Sequence, residues 1–301
     1  MRRASSAFVG YAARMGCGAT LTLVALRLSF EPVPRFYALL AMGTWLIADT
    51  CEDYWFGSGM VHSIRQSRLA RRQFLALYVT LVALGVVGDF IFGRLTTALW
   101  TYPTYTTAID FLVLYMIAYP FGGLFTYSLL RIVAGPHSLS GGACSPLTAR
   151  RGIAVSGAAC ALISAGFALE RQTLDLAVIG FGCQCLALQM LLDTIALARN
   201  TLSPVRSLLR RPHLILPLVF VSVIAAFLHE FPNVTYHEWR YENLPLTATV
   251  AGIPVLVIAG WPLLVLGSWA AAAALQRAGR DPYSAPPVLR PASARGQLRR
   301  G

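Results

Sequence analysis

Eight runs of about twenty mostly apolar residues, each the length of a bilayer-crossing helix, constrain this chain more than any motif in it. They lie at roughly 8–30, 36–61, 74–93, 108–133, 152–170, 176–198, 214–231 and 247–275. A soluble domain carries about 25% charged residues; here the figure is 13%, with 56% hydrophobic residues. The expected fold is all-α: a polytopic membrane bundle of about eight transmembrane helices, not a globular enzyme.

The loops support that count. All 25 basic residues are arginine, and the formal net charge is +12. Arginines crowd alternate loops: Arg65, Arg68, Arg71 and Arg72 after the second run, Arg131, Arg150 and Arg151 around the fourth loop, Arg199, Arg206, Arg210 and Arg211 after the sixth run, and more in both termini. The opposite loops keep only Arg27, Arg35, Arg94, Arg171 and Arg240. This is the positive-inside pattern, and it places both termini in the cytoplasm of a multi-pass cell-membrane protein. Charge sorted by loop in this way argues against a nucleic-acid partner. The first run carries Arg14 and Arg27, which can snorkel to opposite surfaces. Arg2 and Arg3 resemble an n-region, but Arg14 interrupts the apolar residues after them and no cleavable signal is expected. Of six cysteines, only Cys144 lies outside the apolar runs, so no disulfide framework is expected, and Cys183-x-Cys185 is too little for a zinc site.

Within the runs a pattern recurs. Gly88-Asp89-Phe90, Trp100-Thr101-Tyr102 and Met116-Ile117-Ala118-Tyr119-Pro120 are echoed by His229-Glu230-Phe231, Trp239-Arg240-Tyr241 and Ile258-Ala259-Gly260-Trp261-Pro262. Asp49-Thr50 is likewise echoed by Asp193-Thr194. Each copy is a carboxylate at the end of an apolar run, an aromatic Trp-x-Tyr hairpin, and a run broken by proline. The expected organisation is a first four-helix repeat over 1–135, a linker at 136–151, a second repeat over 152–277 and a disordered cytoplasmic tail over 278–301. Four helices per unit is an even number, so the repeats insert in parallel orientation.

Ionisable groups inside a span are costly and mark candidate sites. Asp89 and Glu230 fall at similar depth. Asp49, Glu52 and Asp53 share one helical face, and three crowded carboxyls in low dielectric cannot all ionise. Each has a plainer reading: solvated helix ends for Asp89 and Glu230, arginine pairing for the triplet and for Asp193 (with Arg199), an interfacial aromatic belt for Trp100, Tyr102, Tyr105, Trp239 and Tyr241, and a bystander role for His229. Asn233-Val234-Thr235 has the form of a glycosylation acceptor, meaningful only in a host that glycosylates. The functional reading takes Asp89, Glu230, Asp49, Glu52 and Asp53 as catalytic, the triplet serving as proton reserve, with Trp100, Tyr102, Trp239, Tyr241 and His229 lining a pocket. A carboxyl in an apolar pocket is a strong general acid, and aromatic faces stabilise a nearby cation by roughly 0.5–2 kcal/mol. No phosphate loop, dinucleotide fingerprint, nucleophile elbow or metal motif occurs, so no cofactor and no metal are expected.

These residues resemble a group of polytopic membrane enzymes. Asp89 followed by Leu99-Trp100-Thr101-Tyr102-Pro103 is similar to the turn of the spirocyclase family of avermectin-type polyketide biosynthesis, and Asp49 to Asp53-Tyr54-Trp55 is similar to another segment of that family. Glu230, Trp239, Tyr241, Gly252-Ile253-Pro254 and Gly260-Trp261-Pro262 resemble the carotenoid hydratase pattern. The membrane lycopene cyclases belong to the same wider group, although their Pro-x-Glu-Glu is missing here. A proline expected after the first aspartate is Thr50 or Phe90. The resemblance implies a cofactor-free cyclase or hydratase/dehydratase of secondary metabolism, taking a lipophilic polyketide or isoprenoid from the bilayer. The alternatives are a proton-coupled small-molecule transporter or exporter, which buried acids in a duplicated bundle fit equally well, and a non-catalytic membrane subunit.

Overall fold

The computed structural model describes residues 2–31, 35–139, 149–170, 173–201 and 203–276. These form long helices joined by short ones: α1 (Arg2–Leu28), α2 (Phe36–Phe56), α3 (Met60–Gln66), α4 (Arg68–Gly85), α5 (Ala108–Val113), α6 (Tyr119–Ala134), α7 (Pro136–Leu139), α8 (Ala149–Glu170), α9 (Leu174–Ala198), α10 (Pro204–Arg210), α11 (Ile215–Tyr236) and α12 (Val255–Leu275). In a bilayer every backbone amide and carbonyl has to be satisfied within the protein, and continuous helices achieve that. Among the described residues, seven stretches are long and apolar enough to cross a membrane: Val9–Leu28, Arg68–Thr96, Ala108–Ala134, Arg151–Leu169, Leu176–Ala198, Pro212–Tyr236 and Val255–Leu275. The remaining expected span, α2, has 21 residues and the right length, but Asp49, Glu52 and Asp53 in its second half make it more polar than the others.

Several boundaries differ from the sequence expectation. Helix α11 runs through Pro232 to Tyr236 instead of stopping near 231; membrane helices tolerate an internal proline because neighbours satisfy the freed carbonyl. The last run does not start as helix at 247. Two strands, Thr249–Val250 (β3) and Ile253–Pro254 (β4), form a tight hairpin first. Ala251 and Gly252 turn it with φ of 52° and 80°, the left-handed pair that a two-residue hairpin loop requires. Within the expected linker 136–151, α7 occupies the first four residues and α8 begins at Ala149. The rest of that linker, with Cys144, and the tail over 278–301 lie outside the described residues. The five other cysteines are free.

The core is built by α2, α4, α6, α11 and α12 around Trp45, Leu81, Leu124, Val221, Trp261 and Trp269. Helix α12 contributes the buried run Ala270–Ala274, small residues that let helices approach closely in lipid. Helices α1 and α8 lie outside, packed chiefly on α2 and α9 respectively. Helix α1 packs closely enough that a side chain at Gly43 would meet the Thr22 backbone at 2.7 Å.

The Trp-x-Tyr segments do not form a hairpin each, as expected from the sequence. They pair with one another: β1 (Trp100–Thr101) lies antiparallel to β2 (Arg240–Tyr241), with Trp100 opposite Tyr241 and Thr101 opposite Arg240. The Glu242 amide donates to the Leu99 carbonyl at 2.9 Å and extends the ladder. Since backbone pairing needs a partner strand and each segment is only two residues long, the second copy supplies it.

Candidate functional site: two carboxyls in aromatic cages

Helix α4 does not end at Gly85. It widens into a π-helix over Val86–Thr96, and a second π turn spans Leu114–Ala118 between α5 and α6. Such turns cluster at functional sites because they re-aim side chains. The first carries Asp89 and the second Tyr115. The Asp89 Oδ1 accepts from Trp100 Nε1 at 2.6 Å, from the Tyr102 hydroxyl at 2.7 Å and from the Tyr119 hydroxyl; its Oδ2 accepts from the Tyr115 hydroxyl at 2.7 Å. Gly93 makes this possible: a Cβ there would sit 2.0 Å from the Trp100 ring, so any other residue would push the indole away from the carboxyl.

Glu230, on α11 just before Pro232, has a matching cage. Its Oε2 accepts from Trp239 Nε1 at 3.1 Å and the Tyr241 hydroxyl at 2.8 Å, and its Oε1 accepts from Trp261 Nε1 at 3.3 Å. The donors correspond: Trp100 with Trp239, Tyr102 with Tyr241, and Tyr119 before Pro120 with Trp261 before Pro262. Tyr115 has no counterpart. Burial, reinforced by the neighbouring carboxyl, pushes the phenols of Tyr102 and Tyr241 well above their ordinary value. Both therefore stay protonated and donate across the physiological range.

Asp89 and Glu230 line the same cavity, of about 400 Å³, between α4, α6, α9, α11 and α12. Trp100, Tyr102, Tyr119, Trp239, Tyr241, Trp261 and Tyr37 share its wall with Leu, Val and Gly residues, and Thr126, Gln189 and Ser268 are among its few polar groups. Strand pairing of β1 with β2 is what brings the two cages together.

The other expected site residues lie elsewhere. Asp49, Glu52 and Asp53 do not line the cavity. Arg14 bonds Asp49 at 3.3 Å and Asp53 at 2.5 Å, Arg131 bonds Glu52 at 2.6 Å, and Asp49 also accepts from the amides of Met60 and Val61 at the start of α3. Buried carboxyls that meet arginines and a helix start tie α1, α3 and α6 to α2; as cavity catalysts they are misplaced. Asp193 likewise stands close enough to the Val205 amide and Ser203 at the start of α10, and to Gln189, to interact with them, while the Arg199 guanidinium donates to the Ala274 carbonyl. His229 is buried among Tyr37, Phe125 and Trp261 with neither ring nitrogen hydrogen-bonded. It does not line the cavity, because it projects from α11 one residue away from Glu230. Asn233 is buried, and its amide brackets the Trp239 backbone at 2.9 and 3.0 Å, which removes it as a glycosylation acceptor.

Three groups carry no sequence signal of this kind. Tyr115 is one aromatic among many, though its i, i+4 spacing from Tyr119 puts both on one helix face. Tyr37 stands at the start of a run, where aromatics are ordinary. Glu238 sits beside Trp239 in a segment whose aromatics draw the eye. It is fully buried and accepts from the Arg35 and Tyr37 amides at 3.0 and 3.1 Å and from the Tyr105 hydroxyl, capping α2 from the other half of the chain.

No family model matches the chain, and neither a curated protein nor a solved structure matches it.

Proposed function

We propose that this chain is an integral-membrane, cofactor-free cyclase or hydratase/dehydratase acting by acid–base chemistry on a lipophilic polyketide or isoprenoid, as its resemblance to the spirocyclase group implies. The observation that carries this reading is the shared cavity: two carboxyls, held by corresponding indole and phenol donors, open onto one mostly apolar space. Glu230 is the acid; its Oε1 receives only a long indole contact and can present an O–H to the cavity. Asp89, held from both oxygens, is the base that takes the proton back. The surrounding aromatic faces stabilise a cationic intermediate by roughly 0.5–2 kcal/mol each, and fixed donors in a mostly apolar site need no reorganisation as charge develops.

The architecture that fits this chemistry is eight crossings in two parallel four-helix units, with both termini cytoplasmic. The register of β1 with β2 supports it. If Trp100 corresponds to Trp239, a two-fold axis through Thr101 and Arg240 demands the pairing observed. So do the short helices: Asp49 meets Val61 at the start of α3, and Asp193 stands within interaction range of Val205 at the start of α10, at the same offset along the chain.

The test uses purified protein in detergent micelles, fed an apolar extract of the producing cells in H₂¹⁸O and read by mass spectrometry. Isomerisation leaves mass unchanged, hydration adds labelled water and dehydration removes water. Asp89→Asn and Glu230→Gln are expected to slow conversion about 10²–10⁴-fold, the usual worth of a general acid or base. Full activity in both variants eliminates these carboxyls as catalysts. Substrate-driven proton movement in sealed vesicles, without conversion in micelles, marks a transporter instead.

A further inference from the structure

We propose that the Tyr37 hydroxyl is the cavity's substrate-orienting donor, taking a carbonyl, hydroxyl or epoxide oxygen of the occupant and holding it between Asp89 and Glu230. The inference rests on reading the cavity as a substrate site. Every other indole or phenol that lines it is engaged: Trp100, Tyr102 and Tyr119 donate to Asp89, and Trp239, Tyr241 and Trp261 donate to Glu230. The Tyr37 hydroxyl makes no hydrogen bond among the described residues, yet Tyr37 lines the cavity, its hydroxyl lies beside Gly122 of the cavity wall, and it stands within Coulombic range of both carboxyls.

Its position is fixed from three sides. The Tyr37 amide is held by Glu238 at 3.1 Å. Its ring meets Trp239 and His229 edge-on, with centroids 5.0 and 5.4 Å away. On α6, Gly122 leaves room for the hydroxyl, since a Cβ there would lie 3.2 Å from it. An acceptor oxygen on the ligand can take the hydrogen bond that this O–H offers in a mostly apolar wall. A hydrocarbon cannot, so the cavity should discriminate between oxygenated and hydrocarbon lipids of one shape.

The probes are farnesylacetone, a linear isoprenoid ketone, and the hydrocarbon in which its carbonyl is replaced by CH₂. Binding to the full-length protein in micelles is read from the fluorescence of the cavity tryptophans, and the bound ketone from its ¹³C-labelled carbonyl stretch. Tyr37→Phe is expected to weaken ketone binding about fivefold, the worth of one neutral hydrogen bond, to leave hydrocarbon binding unchanged, and to return the carbonyl band to its non-hydrogen-bonded frequency. Unchanged hydrocarbon binding also certifies that the variant folds. A Tyr37→Phe protein that keeps both ketone affinity and the shifted band overturns the role of Tyr37 while leaving the cavity reading intact. If wild-type protein binds neither probe, both fall.

Discussion

At the scale of single residues, the two cages differ in what their donors can do. An indole N–H only donates, whereas a tyrosine hydroxyl can also accept. In Glu230→Gln, the new NH₂ must face either Trp261 or the Trp239–Tyr241 pair, so an indole N–H opposes it in both orientations. In Asp89→Asn, the NH₂ can point to Tyr115, whose hydroxyl turns and accepts, while the amide oxygen keeps Trp100, Tyr102 and Tyr119. Glu230→Gln should therefore cost about 1–3 kcal/mol of stability, the price of an unsatisfied buried polar group, and Asp89→Asn distinctly less. Adding Trp261→Phe to Glu230→Gln should recover part of the loss. Denaturation in detergent checks this; equal losses for the two single variants, or no recovery in the double, would refute the donor argument. Most of this site was readable in the chain. Asp89 and Glu230, the Trp-x-Tyr pairs and the aromatic-proline steps stand out because local sequence repeats them. Tyr37, Tyr115 and Glu238 do not, since what distinguishes them is contact with residues far away in the chain. Conversely, Asp49, Glu52 and Asp53 look catalytic in the sequence because spacing alone shows that carboxyls are crowded and not which arginines answer them.

At the scale of elements, Glu238 couples the β2 segment to α2. Its carboxyl caps the first turn of α2, where free amides and the helix dipole favour an anion. Tyr105 donates to it from the first half of the chain, Tyr236 and Asp110 lie close enough to interact electrostatically, and Arg35, whose amide it accepts, pairs its own guanidinium with Asp110 at 2.5 Å. Burial nevertheless outweighs the hydrogen bonds and pushes the Glu238 carboxyl up to about 7, from 4.5 in an exposed chain. Between these values the folded state binds more protons than the unfolded one, so stability falls as pH rises. The Glu238 contribution is fully present below about 4.5 and is lost as pH climbs through about 7. The thermal midpoint in detergent should thus drop between these limits, and Glu238→Gln, which keeps the shape without the titration, should flatten the curve over that window. A slope identical in the variant would assign the pH dependence to other groups. The helices themselves were legible from apolar run length. The β1–β2 pairing, the π turns and the hairpin before α12 were not, because each depends on what packs alongside and leaves no periodic trace.

For the whole molecule, the contacts bear on the eight crossings of the proposed architecture. In the proposed topology, the pairing of β1 with β2 sets the segments after α4 and after α11 on one side of the bilayer. Glu238, in the second of these segments, caps the N-terminus of α2, which puts the start of α2 on that side too. The far end of α2 leads through α3 into the start of α4, which lies on the opposite side. A helix tied down at both ends in this way fits the proposed eighth crossing, since 21 residues at 1.5 Å each reach about 31 Å, the thickness of the hydrocarbon core. Its three carboxyls are tolerated because Arg14 and Arg131 meet them inside the protein instead of in lipid. With α2 counted, the arginine-rich loops fall on one side, as the positive-inside rule asks; without it, Arg2 and Arg3 at the N-terminus fall on the side opposite the other arginine-rich segments. The expected outcome is that cytoplasmic-activity reporters fused to either terminus are both active. A single cysteine placed at Ser67 of a cysteine-free variant should label only from the cytoplasmic face, and one at Thr106 only from outside. Termini on opposite faces would remove α2 as a span, and with it the proposed parallel pairing of two four-helix units; the β1–β2 pairing that brings the Asp89 and Glu230 cages together would remain.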